Sequence, residues 1–126
     1  MTEEDFKEKL TPLQYKVLRK KATEPPFTGE YVNTKDKGVY RCRACGAELF
    51  GSETKFDSGT GWPSFTEPMN RENVKLEIDT DLGMERVEVV CKKCGSHLGH
   101  VFDDGPKDKG GKRFCINSCA LDLDKT

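Results

Sequence analysis

The sequence predicts a mainly β fold, in which two antiparallel sheets pack as a small barrel-like domain with short N-terminal helices and a structural zinc site. Apolar and polar residues alternate over residues 73–90, as they do in strands that bury one face. Glycine-rich turns separate several other short runs of β-forming residues. Two Cys-x-x-Cys pairs, at residues 42–45 and 91–94, supply the ligands of a tetrahedral metal site. These observations favour a zinc-stabilised β core over about residues 38–123.

Composition and charge limit the class of protein. The chain has 126 residues, of which 34% are hydrophobic and 34% are charged, so we expect a single domain, residues 1–126, with a modest core. The net charge of −1, with both signs interspersed, argues against nucleic-acid binding. The N-terminus is acidic, and no apolar run is long enough to span a membrane. We therefore expect a cytoplasmic protein without nucleic-acid or membrane partners, and a monomer.

The N-terminal segment, about residues 1–24, is predicted to form a helical strap across the main body. Thr2 and Thr11 are both suitable N-caps, and Thr11 with Gln14 makes a capping box that has proline at the first helical position. The second helix should continue to about Lys20, before the Glu-Pro-Pro sequence at residues 24–26 ends it. Its apolar side is expected to consist of Leu13, Val17 and Leu18.

A hairpin around the first cysteine pair is predicted from short strands at residues 39–42 and 47–50. Gly46 follows the second cysteine and relaxes the turn, so that backbone amides can face the thiolates. Residues 51–70 are irregular and carry several aromatic side chains among glycines and serines. Long loops of this kind are uncommon unless they have a function.

A second hairpin is predicted over residues 73–90, with its turn near Asp81, Leu82 and Gly83. Val74, Leu76 and Ile78 alternate with charged residues in its first strand. The second strand leads into the other cysteine pair, and residues 112–118 return as a further strand.

The two cysteine pairs are best explained by a single structural zinc ion. Thiolates at about 2.3 Å close a zinc tetrahedron and leave no position for substrate. The alternatives are a redox dithiol, which is normally one Cys-x-x-Cys in a βαβ unit, and two disulfides. The predicted ligands are Cys42, Cys45, Cys91 and Cys94.

Cys115 is left over by the metal site and is a candidate nucleophile. The alternative is an inert buried cysteine, which is common in strands. Arg113 and Asn117 lie two residues to either side, so an extended strand would direct all three side chains to one face. A guanidinium group favours thiolate, and an amide can donate to an oxyanion.

His97 and His100 follow the second cysteine pair directly. In a Cys/His site the two histidines would be zinc ligands, but here four cysteines already complete the tetrahedron. We therefore interpret the histidines as proton donors, held in place by the metal-anchored backbone that precedes them. Trp62 is the only tryptophan, and such a residue is often part of the core. Its neighbouring glycines and proline favour a loop instead, where the indole could seat a small apolar group.

Four motifs in order closely resemble the B-type peptide-methionine (R)-S-oxide reductases, over about residues 10–121. They are Cys42-x-x-Cys45, Ser58-Gly59-Thr60-Gly61-Trp62-Pro63-Ser64-Phe65, Cys91-x-x-Cys94-Gly95-x-His97-Leu98-Gly99-His100-Val101-Phe102 and Arg113-Phe114-Cys115-Ile116-Asn117-Ser118. The resemblance implies two antiparallel sheets, a structural zinc ion opposite the active site, and repair of oxidised proteins through a sulfenic acid on the catalytic cysteine, Cys115.

The resemblance also implies roles for the other site residues. Trp62 would pack against the substrate methyl group, with Phe102 and Arg113 contributing to the same pocket. The two histidines and Asn117 would position water and substrate and help to protonate the sulfoxide oxygen. Thioredoxin or another thiol would be the reductant.

The sequence departs from many members of this family at Thr60, where those proteins carry a resolving cysteine. Cys119 is the remaining candidate for this role. In one straight strand its Cα atom would lie about 13 Å from that of Cys115, beyond the limit of about 7 Å for a disulfide. A turn at Ser118 would be required. The alternative is direct reduction at Cys115 by thioredoxin or a small thiol.

Two other functions are compatible with parts of the sequence. A zinc-ribbon module could bind protein or single-stranded nucleic acid through basic residues around the cysteine pairs, although Glu48 and Glu88 are expected to balance these charges on a solvated face. A zinc-held thiol enzyme could also act on another electrophile, such as a peroxide. The basic residues are Arg41, Arg43, Lys92 and Lys93.

Overall fold

The computed structural model describes residues 2–80 and 83–126 and consists mainly of short antiparallel strands. The helices are α1 (Glu3–Lys9) and α2 (Pro12–Lys20). The strands are β1 (Gly38–Cys42), β2 (Glu48–Gly51), β3 (Lys55–Phe56), β4 (Ser64–Phe65), β5 (Val74–Asp79), β6 (Arg86–Cys91), β7 (His97–Phe102), β8 (Arg113–Ile116) and β9 (Leu121–Lys125). Single 3₁₀ turns lie at Ser52–Thr54, Arg71–Asn73, Lys107–Lys109 and Ser118–Ala120.

The strands form two antiparallel sheets, which confirms the predicted fold class. The first sheet has the order β2-β1-β9, and the second has the order β3-β4-β8-β7-β6-β5. Both sheets are open over the described parts of the chain, so they pack together without closing into a barrel. Strand β8 is internal to the larger sheet, between β4 and β7.

Aromatic side chains from both sheets meet in the core. Tyr40 of β1 packs edge-on against Phe65 of β4, with ring centroids 5.2 Å apart. Phe50 of β2 stacks on the same ring at 4.5 Å. These three rings are fully buried, and such pairs contribute about 0.5–1.5 kcal/mol each beyond the burial of their area. The core therefore lies between the two sheets.

Both N-terminal helices begin at the predicted caps. The side chains of Thr2 and Thr11 accept from backbone amides in complete capping boxes. Helix α2 ends at Lys20, where Lys21 adopts a left-handed conformation, so the helix stops before the prolines rather than at them. No helix within residues 2–80 and 83–126 is both long and apolar enough to cross a membrane.

The predicted apolar side of α2 is only partly correct. Val17 and Leu18 are buried, but Leu13 is 46% exposed, because the first turn of the helix lies at the rim of a surface cavity. The second helix packs against β7 and the last 3₁₀ turn.

The predicted hairpin of β5 and β6 is present, with Val74 opposite Cys91 and Asp79 opposite Arg86. The expectation that its apolar alternation marks a buried face is wrong, since Leu76 and Ile78 are 52% and 63% exposed while Asp79 is buried. We attribute the exposure of these side chains to the position of β5, which is an edge strand of the larger sheet. Of the predicted turn, Asp81 and Leu82 lie outside the described residues.

Candidate active site and four-cysteine cluster

Cys115 lies in the middle of the larger sheet, on β8. It is opposite Ser64 of β4 on one side and His100 of β7 on the other. The side chain lines a cavity of about 240 Å³. The same cavity is lined by five other residues predicted for the site, which are Trp62, His100, Phe102, Arg113 and Asn117. The structure brings these six residues together, and their chemical roles remain predictions.

Burial determines the resting state of the Cys115 thiol. Loss of solvent raises the pKa of this thiol above its ordinary value, while the charge and hydrogen bond of Arg113 and a hydrogen bond from Thr60 lower it. The net direction is upward, so the thiolate-favouring effect expected of Arg113 is outweighed by burial. Arg113 itself is fixed by Asp104, with Nε 2.9 Å from Oδ1, and its guanidinium covers the ring of Phe102 at 4.6 Å.

His100 is held in the cavity wall by a buried carboxylate. Its Nε2 lies 2.7 Å from Oδ2 of Asp79, a residue that is only 2% exposed. Asp79 also pairs with Arg86, whose Nη2 lies 3.4 Å from the same oxygen. A carboxylate on one ring nitrogen fixes both the orientation and the tautomer of an imidazole. His100 is therefore presented to the cavity in one orientation.

His97 lies behind His100 and is not part of the cavity lining. Its Nδ1 is 2.8 Å from Oε2 of Glu88, and the two imidazole rings are 5.3 Å apart. Burial lowers the pKa of His97 below its ordinary value, against the opposing effect of Glu88. The buried Nε2 has no hydrogen-bond partner among the described residues. The geometry separates the two predicted proton donors into one that faces the cavity and one that does not.

The side chain of Asn117 is anchored at both ends. Its Oδ1 accepts from the backbone N–H of Glu24 at 3.0 Å, and its Nδ2 donates to the carbonyl of Leu98 at 3.0 Å. One N–H of the amide therefore remains for a ligand in the cavity. The residue follows β8 directly and is buried.

Trp62 lies in the predicted loop, and its indole is oriented by the segment that follows α2. Its Nε1 donates to the carbonyl of Glu24 at 3.0 Å. A second contact joins the same segments, since the backbone N–H of Phe27 donates to the carbonyl of Gly61 at 2.7 Å. Gly61 has a φ of 93°, which suits glycine. The loop is thus tied to the N-terminal segment beside the cavity.

Three buried carboxylates that support the site, those of Glu24, Asp79 and Glu88, were not predicted from the sequence. The carboxylate of Glu24 accepts from the backbone N–H groups of Ser118 and Cys119, each at 2.9 Å. Glu88 was expected on a solvated face, which is wrong, since it is buried against His97. The one signal in the sequence is that Glu88 lies on a strand predicted to precede the second cysteine pair.

Cys119 lies in a different cavity from Cys115. Strand β8 ends at Ile116, and the chain turns at Ser118–Ala120, so the turn that a resolving role requires is present. The Cys119 side chain nevertheless lines a separate cavity with Arg43. Burial, followed by the charge of Glu24, raises the pKa of Cys119 to about 12. Thr60, in contrast, lines the same cavity as Cys115.

The four remaining cysteines cluster where the two sheets meet. Their sulfur atoms all lie within 4.8 Å of one another, with Sγ of Cys42 3.7 Å from Cys94 and Sγ of Cys45 3.5 Å from Cys91. A tetrahedron with metal–sulfur bonds of about 2.3 Å has edges of about 3.8 Å, so the cluster has the size to bind one metal ion. None of the four forms a disulfide.

The two halves of the cluster have the same backbone design. In each, the N–H of the glycine after the second cysteine donates to the carbonyl of the first, at 2.8 Å for Gly46 and 2.8 Å for Gly95. Both glycines have a positive φ, of 81° and 77°. Cys42 ends β1 and Cys91 ends β6, so a bound metal would join the smaller sheet to the larger one.

Two of the four basic residues around the cluster, Arg41 and Arg43, are held in ion pairs. Arg41 pairs with Glu48 at 3.5 Å and with Asp124 at 3.1 Å. Arg43 pairs with Glu30 at 3.5 Å. The charge expected of a nucleic-acid module is thus largely neutralised at these two arginines.

A cavity that holds a cysteine, a carboxylate-bound imidazole and a tryptophan, on a β frame with a four-cysteine cluster, is compatible with the class of oxidoreductases. Comparison with known proteins identifies the family within this class. The SelR domain matches residues 10–125. The chain belongs to this family, the peptide methionine sulfoxide reductases B.

Curated relatives agree over almost the whole length. A peptide methionine sulfoxide reductase MsrB from Methanosarcina barkeri is 59% identical over 122 residues, which cover 97% of this chain and 85% of the relative. An MsrB from Methanosarcina mazei is 56% identical over 124 residues, covering 98% and 88%. An MsrB from Chromohalobacter salexigens is 52% identical over 122 residues, covering 97% and 92%.

Proposed function

We propose that this protein reduces methionine sulfoxide in peptides and proteins to methionine, that it acts on the R epimer, and that Cys115 is the nucleophile. Membership of the family supports sulfoxide reduction. The single observation that carries the assignment of the site is the shared cavity of Cys115, His100 and Trp62. These groups supply a nucleophile, a proton donor and an apolar wall.

The first step transfers oxygen from the substrate to the enzyme. The sulfur of Cys115 bonds to the sulfoxide sulfur as the oxygen is protonated. The new S–S bond and the original S–O bond then break as the oxygen bonds to Cys115, which leaves a sulfenic acid on the enzyme and releases methionine. The thiol loses one proton and the oxygen gains one, so the step needs no external acid. His100, oriented by Asp79, is suited to passing this proton, because its imidazole lines the cavity and its Nε2 is bound to Asp79.

The choice of epimer follows from the shape of the cavity. With the sulfoxide sulfur facing Cys115, the methyl group packs on Trp62 and the oxygen points to His100 and the remaining amide N–H of Asn117. The opposite epimer exchanges the methyl group and the oxygen. It would direct a polar atom at the indole and leave the hydrogen-bond donors unpaired, which costs affinity.

The second half of the reaction returns Cys115 to a thiol. A reductant thiol attacks the sulfenic acid, which forms a mixed disulfide and releases water, and a second thiol then displaces Cys115. The separate cavity of Cys119 favours an external reductant, either a dithiol protein such as thioredoxin or a small thiol. Zinc in the four-cysteine cluster is proposed to be purely structural, because four thiolates complete its coordination.

The test is reduction of the separate R and S epimers of a blocked methionine sulfoxide, driven by dithiothreitol, with the wild type and Cys115→Ser. We expect turnover of the R epimer alone and its loss in the variant. Hydrogen peroxide serves as the competing substrate. Folded, metal-loaded protein that reduces neither epimer, or that consumes only peroxide, would refute the proposal.

A further inference from the structure

Lys21 has an unusual backbone conformation for a lysine. It is the C-cap of α2, with φ 62° and ψ 29°, and its N–H donates to the carbonyl of Lys16. Glycine or asparagine normally occupies such a left-handed position, because a larger side chain is strained there. A strained residue persists when its surroundings fix it, and an observed outlier of this kind suggests a function.

The side chain of Lys21 ends between two buried carboxylates. Its Nζ lies 3.1 Å from Oδ1 of Asp79 and 3.3 Å from Oε1 of Glu88. The other oxygen of each carboxylate binds a histidine, since Oδ2 of Asp79 contacts His100 and Oε2 of Glu88 contacts His97. The ammonium group of Lys21 thus bridges the carboxylates of two carboxylate–histidine pairs, Asp79–His100 and Glu88–His97.

This arrangement has an electrostatic reason. Asp79 and Glu88 are nearly inaccessible to water, and two carboxylates on adjacent strands repel each other unless a cation lies between them. Asp79 also has Arg86 as a partner. For Glu88, Lys21 is the one lysine or arginine within ion-pair distance in the described parts of the chain.

We propose that Lys21 is a positioning residue for the reaction, which holds Asp79 and Glu88 in place so that they in turn orient His100 and His97. The inference rests on the proposed function for its catalytic consequence. It also gives the N-terminal strap a part in the site, because the ammonium is delivered by the end of α2. Lys21 is not among the residues that line the cavity of Cys115.

The charge of Lys21 also acts on the histidines. It is one of the influences that lower the pKa of His97, after burial and alongside His100. Without the ammonium, the carboxylates would stabilise protonated imidazole more effectively, so His97 would titrate at higher pH. Within residues 2–80 and 83–126, the other charged or titratable groups around the two histidines are Asp79 on β5, Arg86 and Glu88 on β6, and Arg113 and Cys115 on β8.

The kinetic test compares Lys21→Met with Lys21→Arg, using the R epimer of a blocked methionine sulfoxide. Lys20→Met is the matched control, since Lys20 is exposed on the last turn of the same helix. We expect kcat to fall about tenfold in Lys21→Met with KM changed less than about twofold, and to stay within about twofold of wild type in the other two variants. A wild-type kcat in Lys21→Met, or an equal loss in Lys21→Arg, would overturn the proposal.

A second readout does not depend on activity. The chain has only two histidines, so their ring signals can be followed by NMR through a pH titration. We expect the titration of His97 to move to higher pH in Lys21→Met and to stay at the wild-type position in Lys21→Arg. Unmoved titrations in folded Lys21→Met would refute the inference even if the wild type proved inactive on sulfoxides.

Lys21→Asn guards against a folding artefact. Asparagine suits the left-handed backbone, so this variant removes the ammonium while relieving the strain. We expect it to melt as a folded protein and to show the same loss of kcat and the same histidine shift as Lys21→Met. A wild-type kcat and wild-type titrations in folded Lys21→Asn would show that the lysine serves only as a helix cap.

Discussion

At the scale of single residues, the cavity opposes the ionisation that Cys115 needs for its proposed role as the nucleophile. Burial raises the pKa of Cys115, and Arg113 only partly offsets the effect. A protonated thiol is a poor nucleophile but is protected from adventitious oxidation. The structure therefore combines a mostly neutral resting thiol with a cation placed to stabilise the thiolate as it forms.

Arg113→Met should make Cys115 harder to ionise. The variant removes the charge and hydrogen bond that lower the thiol pKa while burial continues to raise it, so the pKa should increase further. The alkaline rise of the alkylation rate at Cys115 would move to higher pH by the same amount. Mass spectrometry that resolves the Cys115 peptide, after timed iodoacetamide exposure across pH, measures this shift.

The control for this prediction is Arg113→Lys. It keeps a positive charge near the sulfur and should move the profile much less, although it loses the bidentate contact with Asp104. An Arg113→Met profile that overlays the wild type would show that the guanidinium does not act on Cys115.

At the scale of elements, a short stretch after α2 holds two parts of the site in position. The carboxylate of Glu24 accepts the backbone N–H groups at the 3₁₀ turn that follows β8, while its own backbone binds Trp62 and Asn117. One residue thus fixes the aromatic loop relative to the nucleophile's strand.

Glu24→Gln should destabilise this junction. The glutamine side chain keeps one acceptor oxygen, but its NH₂ group would face a buried backbone N–H, so that two donors oppose each other. The unsatisfied donor should lower the free energy of unfolding by about 1–3 kcal/mol. Denaturant unfolding measures the loss, and the emission of the sole tryptophan, Trp62, should change as its anchor loosens.

Glu30→Gln is the matched comparison for Glu24. Glu30 is exposed and pairs with Arg43, so its substitution should change the free energy of unfolding by less than about 0.5 kcal/mol. Equal midpoints and equal emission in the two variants would argue against a special role for Glu24.

These elements also show what sequence alone could predict. The N-caps Thr2 and Thr11, the capping box of Thr11 and the glycine turn after the first cysteine pair are encoded within four or five residues, and they are present as predicted. The exposed face of β5 was missed because alternation identifies a strand but not what covers it. Glu24 was interpreted only as part of a helix-ending sequence, because its partners at residues 117–119 are distant along the chain.

The candidate site divides in the same way. Residues proposed to carry the chemistry themselves, such as Cys115, His100 and Trp62, could be selected from their types and neighbours, and they line one cavity. Residues that act through others could not, since the burial of Asp79 and Glu88 depends on the packing of three strands and the end of α2. In a chain with this many charged residues, the sequence around an aspartate or glutamate does not indicate whether its side chain is buried.

At the scale of the whole molecule, the four-cysteine cluster connects all the major parts. Its first pair follows β1 in the smaller sheet and its second pair follows β6 in the larger one. Each helix also contacts one of the two pairs. Nζ of Lys9 in α1 donates to the carbonyl of Ala44, which lies within the first pair, and Nη1 of Arg19 in α2 donates to the carbonyl of Cys94 in the second. A metal at this point therefore crosslinks two sheets and two helices.

Loss of the metal should consequently unfold the domain rather than merely slow the reaction. Binding free energy at a four-thiolate zinc site is folding free energy, and the modest hydrophobic content leaves little to replace it. We expect Cys45→Ser to be purified with little zinc and to lack a cooperative thermal transition, whereas Cys119→Ser should keep about one zinc ion per chain and the wild-type melt. Elemental analysis and circular dichroism measure the two quantities. If Cys45→Ser keeps the wild-type zinc content and melting transition, the cluster is not the metal site. If Cys45→Ser lacks zinc but melts as the wild type does, the two sheets stay folded without the metal crosslink.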